Sequence, residues 1–136
     1  MISHPQGVQM KYELDDWVVL IIDDEPNNLE AIKVTLEHFG AKVLTALSGL
    51  KGMDVLKSIT PTLILLDLAM SEMDGWEVIK NIRTIPALKE IPVIAVTAHA
   101  MISDRERALK SGFDGYLAKP FRPSKVIDEI LGIIAN

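Results

Sequence analysis

The sequence predicts an α/β protein, a doubly wound five-stranded parallel sheet with strand order 2-1-3-4-5. Three observations carry this expectation. From Asp15 onward, short apolar runs alternate with helix-like stretches, the pattern of parallel strands joined by right-handed crossovers. The first, third and fourth runs are apolar throughout, as strands covered on both faces are. The second run, "AKVLTA", and the fifth, "GYLA", are weaker or shorter and suit the edges. In such a sheet the winding reverses between strands 1 and 3, and the binding crevice lies beyond the carboxyl ends of the strands there.

The elements follow in order. Residues 1–14 are mixed, polar and without period, so a poorly ordered extension is expected before a domain covering residues 15–136. Val18–Ile22 is the first strand. A helix over Asn27–Phe39 follows, with Leu29, Ile32, Leu36 and Phe39 at 3.6-residue spacing and Gly40 as its stop. Pro26 suits the first turn of that helix. Ala41–Ala46 is the second strand and Gly49–Ser58 the second helix. Leu63–Leu66 then leads to a helix over Trp76–Thr84, whose Val78, Ile79, Ile82 and Ile85 share one face before Pro86. Val93–Thr97 and a helix over Ile102–Ser111, ended by Gly112, come next. Gly115–Ala118 is the last strand, and Pro123 precedes a final helix over Ser124–Ile134.

Composition narrows the function. An apolar content of 49% in 136 residues supports one packed domain. No apolar run reaches the roughly 18 to 20 residues that span a bilayer, and the N-terminus lacks the apolar core of a signal peptide. A cytoplasmic protein is expected. The net charge of −5, with no basic stripe, argues against nucleic acid as a partner. The chain has no cysteine, which excludes disulfides, thiolate metal sites and a cysteine nucleophile. His4, His38 and His99 are scattered and do not suggest a zinc site.

The chemistry stands at the strand ends. Asp23 and Asp24 follow the first strand, Asp67 the third; Thr97 ends the fourth and Lys119 follows the fifth. Each has an ordinary explanation: a helix cap for Asp24 or Glu25, a turn residue, a strand threonine, a solvated lysine. The fold, however, gathers all of them on one rim. Three carboxylates and one ammonium leave two net negative charges in a small space, which disfavours ionisation unless a cation offsets it. All-oxygen ligands suit Mg²⁺, which binds one or two carboxylates together with a phosphoryl group. A metal beside a carboxylate, a lysine and a hydroxyl makes a phosphoryl-transfer site, and carboxylate is a known covalent acceptor. Asp67, alone at its strand end, is the best nucleophile; the acid pair is better placed as metal ligands.

The stretches "VLIIDDEPNN", "LILLDLAMSEMDG", "IPVIAVTAHA" and "GYLAKPF", in that order, resemble a response-regulator receiver domain of two-component signalling. The resemblance covers residues 16–136 and implies a flavodoxin-like (βα)5 fold. It implies that Asp67 is the phosphoacceptor and that Asp24 ligates Mg²⁺ directly, with Asp23 acting partly through water. The Ala69 backbone carbonyl would complete the protein's share of the metal shell. Lys119 would pair with the phosphoryl group, and the Lys119–Pro120 bond would be cis. Thr97 and Tyr116 would form the switch. A sensor histidine kinase or histidine phosphotransfer protein would supply the phosphoryl group. A downstream protein would dock on the face made by the fourth and fifth strands and helices, and the chain would be a monomer or weak dimer. Most of the apolar arc on the last helix, from Val126 to Ile134, is expected to be core.

Two departures stand out. The usual "M-P-x-M-D-G" reads "MSEMDG", with Ser71 in place of proline, and Ala69 is small where many members carry a polar side chain. Because Ala69 cannot orient an attacking water, slow loss of phosphate is expected. Three rival readings are a receiver that docks without phosphorylation, a small Mg²⁺-dependent aspartyl phosphohydrolase and a flavodoxin-like flavin binder. The phosphohydrolase would need a second acid at position 69. The flavin binder would need hydroxyls and glycines, not Asp23, Asp24 and Glu25, in its first loop.

Overall fold

A computed structural model describes residues 14–98, 102–120 and 122–135. Its strands are β1 (Val18–Ile22), β2 (Lys42–Ala46), β3 (Leu63–Asp67), β4 (Val93–Thr97) and β5 (Gly115–Ala118). All neighbours pair in parallel, in the order β2-β1-β3-β4-β5. The expected topology is the observed one. The helices are α1 (Pro26–His38), α2 (Gly49–Val55), α3 (Gly75–Thr84), α4 (Ile102–Lys110) and α5 (Pro123–Ala135). A short 3₁₀ turn at Pro86–Leu88, which periodicity does not reveal, links α3 to β4.

Side-chain alternation along the central strands builds two cores. Leu20, Ile22, Ile64, Leu66, Val93 and Ala95 face one side and pack with Val78, Ile79 and Ile82 of α3 and Ala108 of α4. Val19, Ile21, Leu63, Leu65, Ile94 and Val96 face the other, against Leu29, Ile32 and Leu36 of α1 and Val126, Ile127 and Ile130 of α5. Leu131, Ile133 and Ile134 are partly buried against the same cluster, so core packing accounts for most of the apolar arc on α5.

The ends of the elements have local causes. Pro26 occupies the first turn of α1, and Glu25 caps that helix by accepting from Asn27 N–H. Ser48 and Asp74 cap α2 and α3 in the same way. Gly40 and Gly112, just past α1 and α4, adopt φ of 102° and 108°, conformations that glycine takes without steric cost. α2 is shorter than the expected Gly49–Ser58; hydrogen-bonded turns at residues 57–59 replace its last turn. Leu14, at the end of the expected extension, is fully buried, and its N–H donates to the Phe39 carbonyl. Residues 1–13 of that extension, His4, His99 and Phe121 lie outside the described residues.

Candidate functional site

Strand register assembles the carboxyl rim. Ile22 of β1 stands opposite Leu66 of β3, so the next residues, Asp23 and Asp67, become neighbours. Asp67 pairs in turn with Val96, and Leu68 N–H donates to the Val96 carbonyl, carrying the ladder past the strand end. Thr97 stands opposite Ala118, and Lys119 N–H donates to the Thr97 carbonyl at 2.8 Å. Lys119 therefore emerges beside Thr97, and its bond to Pro120 is cis. The geometry requires Gly75. A Cβ there would lie 2.8 Å from Leu68 Cα and closer still to the Asp67 carbonyl oxygen.

The side chains converge as their positions on the rim suggest. Asp23 and Asp67 are 1% and 4% exposed, whereas Asp24 is exposed. Each of the three offers a carboxylate oxygen within 4.8 Å of the others'. Lys119 Nζ lies 2.9 Å from Asp23 Oδ2 and 3.6 Å from Asp67 Oδ2. Main-chain donors each hold one oxygen of the three: Glu25 N–H to Asp23 Oδ1, Ala69 N–H to Asp67 Oδ1, and Ser71 N–H to Asp24 Oδ2. Asp23 Oδ2 has the ammonium at ion-pair distance but without hydrogen-bond geometry. It is a fully buried oxygen lacking a hydrogen-bond partner among the described residues.

The electrostatics follow. Burial raises the Asp67 carboxyl from its ordinary 3.8 to about 6, and Asp23 adds to the rise, while Lys119 and the Ala69 N–H oppose it. Tyr116 pairs with Ala95 and lies diagonal to Thr97 on one sheet face; their side chains are hydrogen-bonded. Burial, then the charge of Asp104 on α4, raises the Tyr116 phenol. Ala69 is exposed beside Asp67. Thus the acid triad, Lys119, Thr97 and Ala69 share the rim formed by the β1, β3, β4 and β5 ends, and Tyr116, two residues inside β5, reaches it through Thr97.

The donor set fits a hard divalent cation. It consists of oxygens alone, in a cluster whose ionised forms repel one another and which one ammonium offsets only in part. Among the described residues no other group of acids or histidines has this arrangement.

Sequence reasoning missed Arg83, at the opposite end of the sheet. Its guanidinium donates to the Gly112, Leu88, Lys89 and Ile91 carbonyls and pairs with Asp114 at 2.9 Å. The same Asp114 oxygen accepts from Val93 N–H at the start of β4. In the sequence Arg83 looks like an ordinary charge at a helix end. The pairing of Trp76 was also invisible: its ring meets Phe113 edge-on at 5.9 Å and carries the Arg107 guanidinium at 3.9 Å.

Fold and rim together define a doubly wound α/β protein with an acidic site at its topological switch point. A family model described as the response regulator receiver domain matches residues 19–131, and the chain belongs to that family. The polar-differentiation response regulator DivK of Brucella ovis is 36% identical over 118 residues, 87% of this chain and 96% of its own. The DNA-binding dual master transcriptional regulator RpaA of Synechocystis is 34% identical over 85% of this chain, which spans 48% of that relative's length. The chemotaxis protein CheY4 of Vibrio cholerae superposes with a TM-score of 0.82 at 25% identity, over 86% of this chain and 98% of its own. Receiver domains of two-component signalling are phosphorylated by histidine kinases or phosphotransfer proteins, and they typically use Mg²⁺. No helix among the described residues is long and apolar enough to cross a membrane.

Proposed function

We propose that Asp67 accepts a phosphoryl group from a phosphohistidine of a sensor kinase or phosphotransfer protein. Asp23, Asp24, Asp67 and the Ala69 carbonyl would hold Mg²⁺. The observation that carries this reading is the convergence of three carboxylates, two of them buried, on a single ammonium, with Lys119 between Asp23 and Asp67. Mg²⁺ supplies positive charge that offsets the triad and the phosphoryl oxygens.

The chain's own groups then have defined tasks. The Ala69 N–H fixes one Asp67 oxygen, leaving Oδ2 to attack phosphorus. The bond from phosphorus to the imidazole nitrogen breaks, its electron pair stays with the imidazole, and Asp67 becomes an acyl phosphate. Lys119, already held between two carboxylates, exchanges them for phosphoryl oxygens. Thr97 donates its hydroxyl to another, and Tyr116 turns inward to fill the vacated space.

The acyl phosphate carries about −1.5 to −2 where the ionised carboxylate carried −1, and this local change of charge biases a two-state face rather than building a new one. Its readout is a downstream protein docked on β4, α4, β5 and α5, in the cytoplasm. Incubation with Mg²⁺ and acetyl phosphate, followed by intact mass, tests the proposal. One phosphate gained by the wild type but not by Asp67→Asn is expected. A wild type that binds Mg²⁺ but gains none refutes the phosphoacceptor role and favours docking without phosphorylation.

A further inference from the structure

The hydrogen bond from Ser71 N–H to Asp24 Oδ2, 3.2 Å long, joins two rim loops that lie 47 residues apart in sequence. Ser71 stands where the family's usual motif has proline, and proline has no N–H to give. The bond therefore exists because of this departure.

Asp24 is the member of the triad that needs such help. Asp23 and Asp67 are buried and packed in place, but the Asp24 carboxylate is exposed. An exposed side chain loses rotamer freedom when it is fixed on a ligand, and holding it beforehand removes part of that cost. The bond engages one carboxylate oxygen and leaves the other free. Independently of it, Asp23 Oδ2 is buried in a cluster of three carboxylates that one ammonium, Lys119 at 2.9 Å, does not neutralise, which favours a further cation there.

We infer that the Ser71 main-chain N–H is a positioning group for divalent-cation binding, holding Asp24 in its ligating place before the ion arrives. This inference rests on the Mg²⁺ reading above and deepens it. The serine hydroxyl has no part in it, so substitutions separate the main chain from the side chain.

Calorimetric Mg²⁺ titration of the wild type, Ser71→Pro and Ser71→Ala tests it. Ser71→Pro, a residue the family tolerates here, should bind about fivefold more weakly, the factor to which the net worth of one hydrogen bond converts. Ser71→Ala, the conservative variant that keeps the N–H, should retain the wild-type affinity. In metal-free protein the Ser71 amide should exchange with solvent more slowly than in Asp24→Ala, a readout that stands even if Ser71→Pro does not fold. Equal or tighter binding by Ser71→Pro, equal weakening by both Ser71 variants, or unchanged exchange in Asp24→Ala overturns the inference. Wild-type protein that takes up no Mg²⁺ overturns the metal reading and this inference with it. Normal wild-type uptake with no proline effect overturns this inference alone.

Discussion

The substitution Asp67→Asn removes a buried charge while keeping the side chain's shape. The Asn oxygen can still accept from Ala69 N–H, and its NH₂ can donate toward the buried Asp23 carboxylate beside it. In the wild type the Asp67 pKa is about 6, against an ordinary 3.8. Between those values the native state keeps a proton that the unfolded state releases. Stability therefore falls as pH rises through that window and stays low above it. At about 1.4 kcal/mol per pKa unit, the rise from 3.8 to about 6 costs about 3 kcal/mol at neutral pH.

The assay is urea unfolding of wild type and Asp67→Asn with a chelator present, near neutral pH and again below pH 3.8. The variant should be the more stable at neutral pH by about 2 to 3 kcal/mol, a gap that closes at the acidic end. Mg²⁺ at about a hundred times its Kd should return about 2.7 kcal/mol to the wild type. It should return less to the variant, which has lost one acid of the triad. A variant no more stable than wild type at neutral pH without metal, or a gain that persists in acid, refutes the argument.

Other expectations concern single positions. Gly75→Ala places a Cβ against the Asp67 carbonyl, so it should lower both stability and phosphate uptake from acetyl phosphate; unchanged uptake by intact mass would contradict the close approach. Arg83→Met abandons three part-buried carbonyls, at Gly112, Leu88 and Ile91. At about 1 kcal/mol each, it should cost about 3 kcal/mol in urea unfolding and leave Mg²⁺ affinity unchanged. Ala69→Asn should speed loss of phosphate from the modified protein, followed by mass over time; an unchanged rate would show that position 69 does not govern water there.

The fold was legible because its signals are local and agree. The apolar runs of β1, β3 and β4 and the glycine and proline stops point to the same topology. The rim was legible for a related reason. A parallel sheet with known strand order fixes which strand ends are neighbours, so Asp23, Asp67, Thr97 and Lys119 could be brought together without coordinates. What escaped depends on contacts the pattern does not encode. Leu14 sits in a polar stretch, and nothing in that pattern reveals that it is fully buried with its N–H on the Phe39 carbonyl. Arg83 has a surface residue's sequence context, yet its guanidinium organises four carbonyls. The ordinary explanation also held in one place: Glu25 is a helix cap, while the two aspartates before it join the cluster.

Why the protein keeps a cluster that works against its own folding follows from where the cost falls. Total stability for a domain of this size is of order 5 to 15 kcal/mol, so a penalty of about 3 is large but bearable. It is bearable because apolar burial around it is extensive: β3 and β4 are buried along their whole length, and nearly all of β1 is too. A rim without repulsion would have little differential affinity for a cation or a phosphoryl group, and only differential affinity shifts an equilibrium. The instability at Asp67 and the proposed responsiveness of the site are thus one property, and a substitution that relieves the first should abolish the second.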